Sequence, residues 1–352
     1  MASLQNPRLR SYLNALHHAR KFAGVHAFHR EQAGKLADRR TLERRRQRIA
    51  SRVQAFPSYA VEALGLSHLH LLLLSPDQRW TRFAYACDGL WGTTDFVQHS
   101  LYLHCLVPTE HLAPVQELIH ALRDDGWCKD VVAVHSRSGW QHFRNCGHDP
   151  LPIAGREPDE RRILTTNPLV VPFIAESWDR DTTHAGLWKR MHERLGKNAR
   201  AYLSNRKPRR VNGKSDVSAA GALLGKKGLF RQVMLREALL ERDRVEVVLL
   251  DGAPTDQVIE LLTALRQTAD SVETYPSTDG CTVARATGPT EMLRLIVATV
   301  TGTTSAPRIM IADRERTARE EQPRFRYEFL FNPRTGSWVF PRDEILRHME
   351  SR

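Results

Sequence analysis

The chain has 352 residues, of which 41% are hydrophobic and 26% charged, and its formal net charge is +12. This length allows two to four domains, and the composition is that of a folded globular protein rather than a disordered one. No apolar run approaches the ~20 residues that cross a bilayer, and the arginine-containing N-terminus is unlike a secretory signal, so we expect a cytoplasmic protein with no membrane partner.

The first 66 residues predict three helices followed by an extended segment. Apolar residues at helical spacing predict a first helix over residues 7–22 and a second over 28–37, with a tight break at residues 38–40. Thr41 is expected to cap a third helix that ends before Pro57, and the extended stretch PSYAVEALGL follows. Three helices and an extended segment in this order are typical of a winged helix-turn-helix.

An α/β pattern follows. The apolar run at residues 69–74 predicts a strand, residues 77–86 a short helix, and residues 96–106 a strand or pair of strands. An amphipathic helix over 110–125 and a strand over 130–135 complete the order β-α-β-β-α-β. That order predicts a ferredoxin-like domain, with its helices on one face of an antiparallel sheet.

The second half of the chain repeats this order. Residues 50–75 align without a gap on residues 226–251, and Pro108-Thr109-Glu110 matches Pro289-Thr290-Glu291. Residues 136–165 are rich in Gly, Pro and charge and predict an irregular connection. Further predicted elements are helices over 185–195, 197–203, 215–227, 256–269 and 290–300, strands over 245–250, 281–284 and 308–312, a hairpin near 332–336, and a terminal helix from 343.

The predicted fold class is therefore α+β, with two winged helix-turn-helix domains alternating with two ferredoxin-like domains. The expected boundaries are 1–63 for the first winged helix, 64–136 for the first ferredoxin-like domain, 137–182 for a connecting segment, 183–240 for the second winged-helix-like domain, 241–315 for the second ferredoxin-like domain, and 316–352 for the C-terminal hairpin and helix.

The positive charge is confined to two segments. Residues 1–60 contain 13 Lys and Arg against 3 acidic residues, and residues 180–236 contain 15 against 3. These segments carry net charges of +10 and +12, so the rest of the chain must carry −10 to give the total of +12. Basic segments in an acidic body are typical of a polyanion-binding surface, although a solvated helical face would have the same composition.

The first unit resembles the leucine-responsive and asparagine (feast–famine) family of transcription regulators. The resemblance lies in the basic third helix, the stretch PSYAVEALGLSHLHLLLL, and Gly92-x-x-Asp95 before the second strand. It implies one winged helix joined to one ferredoxin-like domain, and dimerisation through the α/β domains. Two such units in tandem imply a single-chain pseudo-dimer whose partners are double-stranded DNA, a small-molecule effector and a second copy of the chain. The second unit has no clear Gly-x-x-Asp.

The expected DNA contacts come from both basic segments. Arginine forms bidentate contacts with phosphate and with guanine in the major groove, which makes the third helix the best candidate for reading DNA. The candidate residues are Arg39, Arg40, Arg44, Arg45, Arg46, Arg48 and Arg52 in the first segment, and Arg206, Lys207, Arg209, Arg210, Lys214, Lys226 and Lys227 in the second.

An enzyme on the same scaffold is the alternative. The siroheme decarboxylases share the fold of the resembled family, and His68 and His70 alternate on a predicted strand beside a strand with His99 and His104. No nucleophile, phosphate-binding or HExxH motif accompanies these histidines, and the five cysteines include no Cys-x-x-Cys pair. We therefore expect reduced thiols, no catalytic residue, no metal and no cofactor, and a binding protein rather than an enzyme. A third reading is a structural protein that binds nucleic acid without sequence preference.

Overall fold

The computed structural model describes residues 6–17, 25–49, 53–95, 97–136, 140–143, 160–177, 184–203, 213–226, 229–237, 244–251, 269–277, 281–294, 308–313 and 324–351. These residues form a mixture of helices and largely antiparallel strands, which confirms the predicted α+β class. The chain divides into two compact units, each built from both halves of the sequence.

Unit 1 comprises Met1–Leu64, Gly155–Ala238 and Phe331–Trp338. A two-stranded antiparallel sheet joins its two halves, with Val53 opposite Glu237 and Phe56 opposite Met234. Its helices are α1 (Pro7–His17), α2 (Val25–Gln32), α3 (Arg39–Ile49), α5 (Glu160–Thr166), α6 (Val170–Ser177), α7 (His184–Leu195) and α8 (Gly213–Lys226), and its strands are β1 (Val53–Tyr59), β7 (Phe230–Glu237) and the short pair β12 (Phe331–Asn332) and β13 (Ser337–Trp338).

Unit 2 comprises Gly65–Ala154, Leu239–Leu330 and Val339–Arg352, and it contains a nine-stranded sheet. Its strands are β2 (Leu66–Leu74), β3 (Ala86–Thr94), β4 (Gln98–Pro108), β5 (Asp130–Ser136), β6 (Trp140–Phe143), β8 (Arg244–Asp251), β9 (Ser271–Pro276), β10 (Thr282–Pro289) and β11 (Arg308–Ala312), and its helices include α4 (Leu112–Asp124), α9 (Tyr327–Leu330) and α10 (Arg342–Glu350).

The sheet of unit 2 repeats one strand order twice. The first half runs β5-β2-β4-β3 and the second runs β11-β8-β10-β9, with β6 added at the edge. When the four strands of each half are numbered along the chain, they lie side by side in the sheet in the order fourth, first, third, second. The two Pro-Thr-Glu segments of the sequence match follow β4 and β10, which occupy the same place in the two halves.

Strands β3 and β11 pair antiparallel and join the two halves of the sheet. Gly92 permits this pairing, because a Cβ atom at this position would lie 2.3 Å from the carbonyl oxygen of Ile311. Asp95 has a φ of 50° in the turn that follows, a conformation that Asp adopts more readily than most residues. The Gly-x-x-Asp spacing thus has a local structural reason: close strand approach, then a tight turn.

The two faces of β2 differ in chemistry. Leu69, Leu71 and Leu73 lie on one face, whereas His68 and His70 lie on the other, and all five side chains are buried. The histidine-bearing face packs inside unit 2 with the apolar cluster Leu72, Leu90, Tyr102, Val134, Val248, Leu250, Tyr275, Val283 and Met310, which draws on both halves of the sheet.

The structure corrects the predicted beginning and end of the third helix. It begins at Arg39, so the tight break predicted at residues 38–40 is wrong, and Asp38 rather than Thr41 caps it. Val53 and Phe56, predicted at helical spacing, lie instead in β1. Pro57 is accommodated within β1, because a two-stranded sheet has only edge strands, on which a missing N–H is tolerated.

Other elements were missed or misassigned. The short helix predicted over residues 77–86 is a 3-10 helix (Gln78–Arg82), and β3 follows it; neither β3 nor β9 was predicted. The stretch over 136–165, predicted as irregular, contains β6 and the start of α5. Residues 256–268 of one predicted helix and most of the helix predicted over 290–300 lie outside the described residues, whereas the C-terminal hairpin and the terminal helix are confirmed.

No helix in the described ranges is long and apolar enough to span a bilayer.

Candidate functional site

Helix α3 is fixed at its start by a carboxylate cap. Thr41 donates hydrogen bonds to Asp38 from its backbone nitrogen (2.9 Å) and its hydroxyl (2.6 Å), and these bonds lower the pKa of Asp38. A charged carboxylate at this position satisfies the unpaired N–H groups of the first turn and complements the helix dipole. Leu42, one turn in, is fully buried and anchors the inner face of the helix.

A buried chain of polar contacts holds α3 against α1 and α2. The Tyr12 hydroxyl shares a 2.9 Å hydrogen bond with Nε2 of His29, and Nδ1 of that ring lies 3.1 Å from Oε2 of Glu43 on α3. Tyr12 and His29 are completely buried, whereas Glu43 also pairs with Arg46 at 3.4 Å. These contacts fix the rotation of α3 about its axis, and therefore which arginines face outward.

The first basic segment forms one arginine-rich surface on α3. Arg39, Arg40, Arg44 and Arg48 are exposed, whereas Arg45 and Arg46 are half-buried. The predicted candidates on this helix are therefore brought together. Of the others, Lys226 is exposed at the end of α8 and Lys214 lies in α8 with its side chain outside the described part, whereas Arg52, Arg206, Lys207, Arg209, Arg210 and Lys227 lie outside the described residues.

A second candidate site lies inside unit 2, where the histidines of β2 meet β4. Nδ1 of His68 and Nε2 of His104 share a 2.8 Å hydrogen bond, and Nδ1 of His70 and the Tyr102 hydroxyl share another of 2.8 Å. Tyr275, from the second half of the chain, brings its ring to 4.4 Å from the His70 ring and 4.9 Å from the His104 ring. Imidazole and phenol groups from both halves therefore share one interior.

Burial keeps the imidazoles of His68 and His70 neutral. Loss of solvation lowers the pKa of His68 to about 3, with a further contribution from His135, and it places the pKa of His70 well below the usual value. A neutral imidazole carries one donor and one acceptor nitrogen, so the cluster contains proton-transfer groups without charge. Sequence analysis singled out the histidines but not Tyr102 or Tyr275.

The same interior contains a buried arginine with several carboxylates. The guanidinium of Arg285 on β10 contacts Glu246 on β8 and Asp88 on β3, and all three side chains are at most 7% exposed. Burial alone opposes the charge, but Glu246, Asp88 and Glu273 outweigh it and raise the pKa of Arg285 well above its ordinary value. The signal for these residues was present in the sequence, since Arg285 and Glu246 interrupt apolar strands.

Within the described ranges, no group of three or more His, Cys, Asp and Glu side chains could hold a metal ion. The four cysteines described there are free thiols: Cys87, Cys105, Cys128 and Cys281.

The neutral histidines predict a loss of stability in acid. In the unfolded chain His68 and His70 regain a pKa near the ordinary 6.5, so below pH ~6.5 the unfolded state binds more protons than the folded state. The free energy of unfolding should fall by up to ~1.4 kcal/mol per pH unit for each histidine as the pH drops from ~6.5. Urea unfolding at pH 7.5 and 5.5 measures this. His70→Gln should reduce the pH dependence of the free energy of unfolding; the same pH dependence in the wild type and in His70→Gln would contradict the prediction.

Comparison with known proteins adds two solved structures. The crystal structure of the siroheme decarboxylase NirDL matches with a TM-score of 0.48 at 14% identity, covering 98% of this chain and 100% of that one. The same protein in co-complex with an iron-uroporphyrin III analogue matches at 0.47 and 14% identity, covering 97% of this chain and 100% of that one. At these scores the likeness establishes neither fold nor function. No family model and no curated protein matches the chain.

Proposed function

We propose that unit 1 binds double-stranded DNA through α3, and that the chain regulates transcription as a single-chain pseudo-dimer. The observation that carries the proposal is the exposed arginine surface of α3. Asp38 caps this helix, and its inner face is anchored by a buried side chain. An α-helix fits the major groove, where arginine forms bidentate contacts with guanine, while neighbouring arginines contact phosphates. The candidates in the second basic segment would add phosphate contacts.

The arrangement of unit 1 supports this assignment. Three helices followed by a strand, α1-α2-α3-β1, are compatible with a helix-turn-helix domain. Strand β1 pairs with β7 from the second half of the chain, so the two helical halves of unit 1 are joined by one sheet. The two four-stranded halves of unit 2 share the strand order of ferredoxin-like domains, and would serve for effector binding or for association with a second chain.

Catalysis in unit 2 is the second candidate function, favoured by the buried His68–His104 and His70–Tyr102 pairs. Strongly shifted pKa values that arise from burial and neighbouring groups are concentrated at functional sites in proteins. The cluster would act as acid and base in an enzyme of the siroheme-decarboxylase kind. The charge of this interior disfavours a substrate that carries several carboxylates. The positive charge of Arg285 is already neutralised by the carboxylates of Asp88 and Glu246.

A salt titration tests the main proposal. Labelled genomic duplex fragments should bind with a logarithmic affinity that falls linearly with the logarithm of salt concentration, with a slope of about −0.9 per phosphate contact. Fragments selected for tight binding should compete better than bulk DNA. If the protein binds no duplex at low salt but consumes siroheme under reducing conditions, catalysis in unit 2 is the function that the result supports. Binding that is equal for all sequences would instead favour a structural nucleic-acid-binding protein.

A further inference from the structure

The two halves of unit 1 differ at the helix that precedes the paired strand. In the first half α3 leads into β1, and in the second half α8 leads into β7, the antiparallel partner of β1. The offset of 176 residues in the sequence match places positions 39–49 of α3 on positions 215–225 of α8. Helix α8 is therefore the counterpart of the arginine-rich helix.

The two counterparts differ in how much positive charge they carry. Helix α3 contains six arginines and one glutamate, whereas α8 contains one lysine near each end, Lys214 and Lys226, and between them no Lys or Arg and one acidic residue, Asp216. The exposed side chains described on α8 are those of Ser218, Ala219, Ala222 and Lys226. Alanine offers a base pair only an apolar contact with a thymine methyl group, and it gives no phosphate anchor.

The inner face of α8 is packed like that of α3, whereas the exposed side chains described on α8 include no arginine. Val217, Ala220 and Leu224 are buried at a spacing of three and four residues, which anchors its inner face as Leu42 anchors α3. The loss therefore concerns the outer face alone. Lys226 is exposed in the last turn of α8, where a lysine can contact a phosphate.

We propose that the chain recognises an asymmetric DNA site, in which α3 reads the bases of a single half-site and the second half of unit 1 contributes only phosphate contacts. The proposal rests on the DNA-binding function proposed above. A symmetric dimer with two equal recognition helices reads two inverted half-sites about 10–10.5 base pairs apart. Among the described side chains, only those of α3 form an arginine surface that could read a half-site.

Selection from random duplexes by the full-length protein tests this proposal. We expect one contiguous block of specified bases that spans about half a helical turn, with flanking base pairs that affect affinity little. Mass measurement of the complex should give one chain per duplex. Two inverted blocks of equal strength in a complex with one chain would overturn the proposal. Recovery of no enriched duplex, together with no binding at low salt, would instead overturn the DNA-binding function itself.

Two variants sharpen the test. Lys226→Ala should flatten the salt dependence by about 0.9 and leave the specified block unchanged. Ser218→Arg with Ala222→Arg places two arginines one turn apart on the exposed face of α8, and it should create a second block of base preference. Loss of part of the base preference in Lys226→Ala would contradict the proposal, as would a wild-type selection already containing the block that the arginine variant adds.

Discussion

Replacing Arg285 with methionine is expected to lower the free energy of unfolding by about 3–5 kcal/mol, because it removes one member of a buried ion cluster and leaves the others uncompensated. Methionine keeps most of the volume of the arginine stem, so the loss reports charge rather than a cavity. The partners Glu246 and Asp88 are only 5% and 7% exposed and cannot recover hydration. Urea unfolding of the full chain at pH 7.5 measures the change.

A matched control comes from the same unit. Arg308 lies 3.6 Å from Asp130, but both side chains are nearly half exposed, so Arg308→Met should cost at most about 1 kcal/mol. The two substitutions are chemically identical and differ in burial. Equal losses in the two variants would show that burial of the Arg285 cluster does not determine its contribution.

The pH dependence gives a second check on Arg285. Buried carboxylates that have lost their cation are expected to have raised pKa values, so protonation in acid should relieve part of the destabilisation. The difference in the free energy of unfolding between wild type and Arg285→Met should become smaller as the pH is lowered from 8 to 5. If the variant does not fold alone, adding Glu246→Gln and Asp88→Asn should restore folding. A deficit that grows in acid, or a triple variant no more stable than the single one, would contradict the cluster as described.

Sequence patterns located most elements whose side chains alternate or repeat clearly. The run of leucines predicted β2, and amphipathic spacing predicted α4, because each element buries one face against a core. The charge distribution pointed to α3, and the structure describes an exposed arginine surface there.

The elements that sequence patterns missed owe their conformation to partners far away in the chain. Strand β3 contains Asp88, Gly89 and Gly92, which weaken its strand pattern, and it is held by pairing with β4 and with β11. The opposite error occurred at Val53 and Phe56, where helical spacing yielded to the pairing of β1 with β7. In both places tertiary contacts outweigh local propensity.

The partners within the buried clusters could not be predicted from the sequence, for a related reason. His68 and His70 could be placed on one face of a strand, but the approach of Tyr275 depends on how two sheet halves more than 200 residues apart in sequence come together. The contact of Asp88 with Arg285 spans 197 positions. Alternation assigns a side chain to a face, and only the fold assigns its partner.

The triple replacement of Arg44, Arg45 and Arg48 with alanine is expected to have the largest effect on DNA binding. Each arginine that contacts a phosphate should contribute about 0.9 to the salt slope, and each that contacts a base about 1–3 kcal/mol of discrimination. The variant should therefore bind the selected duplex at least a hundredfold more weakly and with a flatter salt dependence. Fluorescence anisotropy at several salt concentrations measures both quantities.

The control for that triple variant removes the same charge elsewhere. Arg324, Arg342 and Arg347 are exposed residues of unit 2, and their replacement with alanine lowers the net charge by the same three units. If DNA binding depends on the arginine surface of α3, the control should keep the wild-type salt slope and base preference. Thermal unfolding should show that both variants remain folded, since five of the six side chains are exposed and that of Arg45 is only half-buried. Equal loss of affinity in the two variants would mean that net charge alone attracts DNA. It would contradict the proposal that α3 contacts the bases.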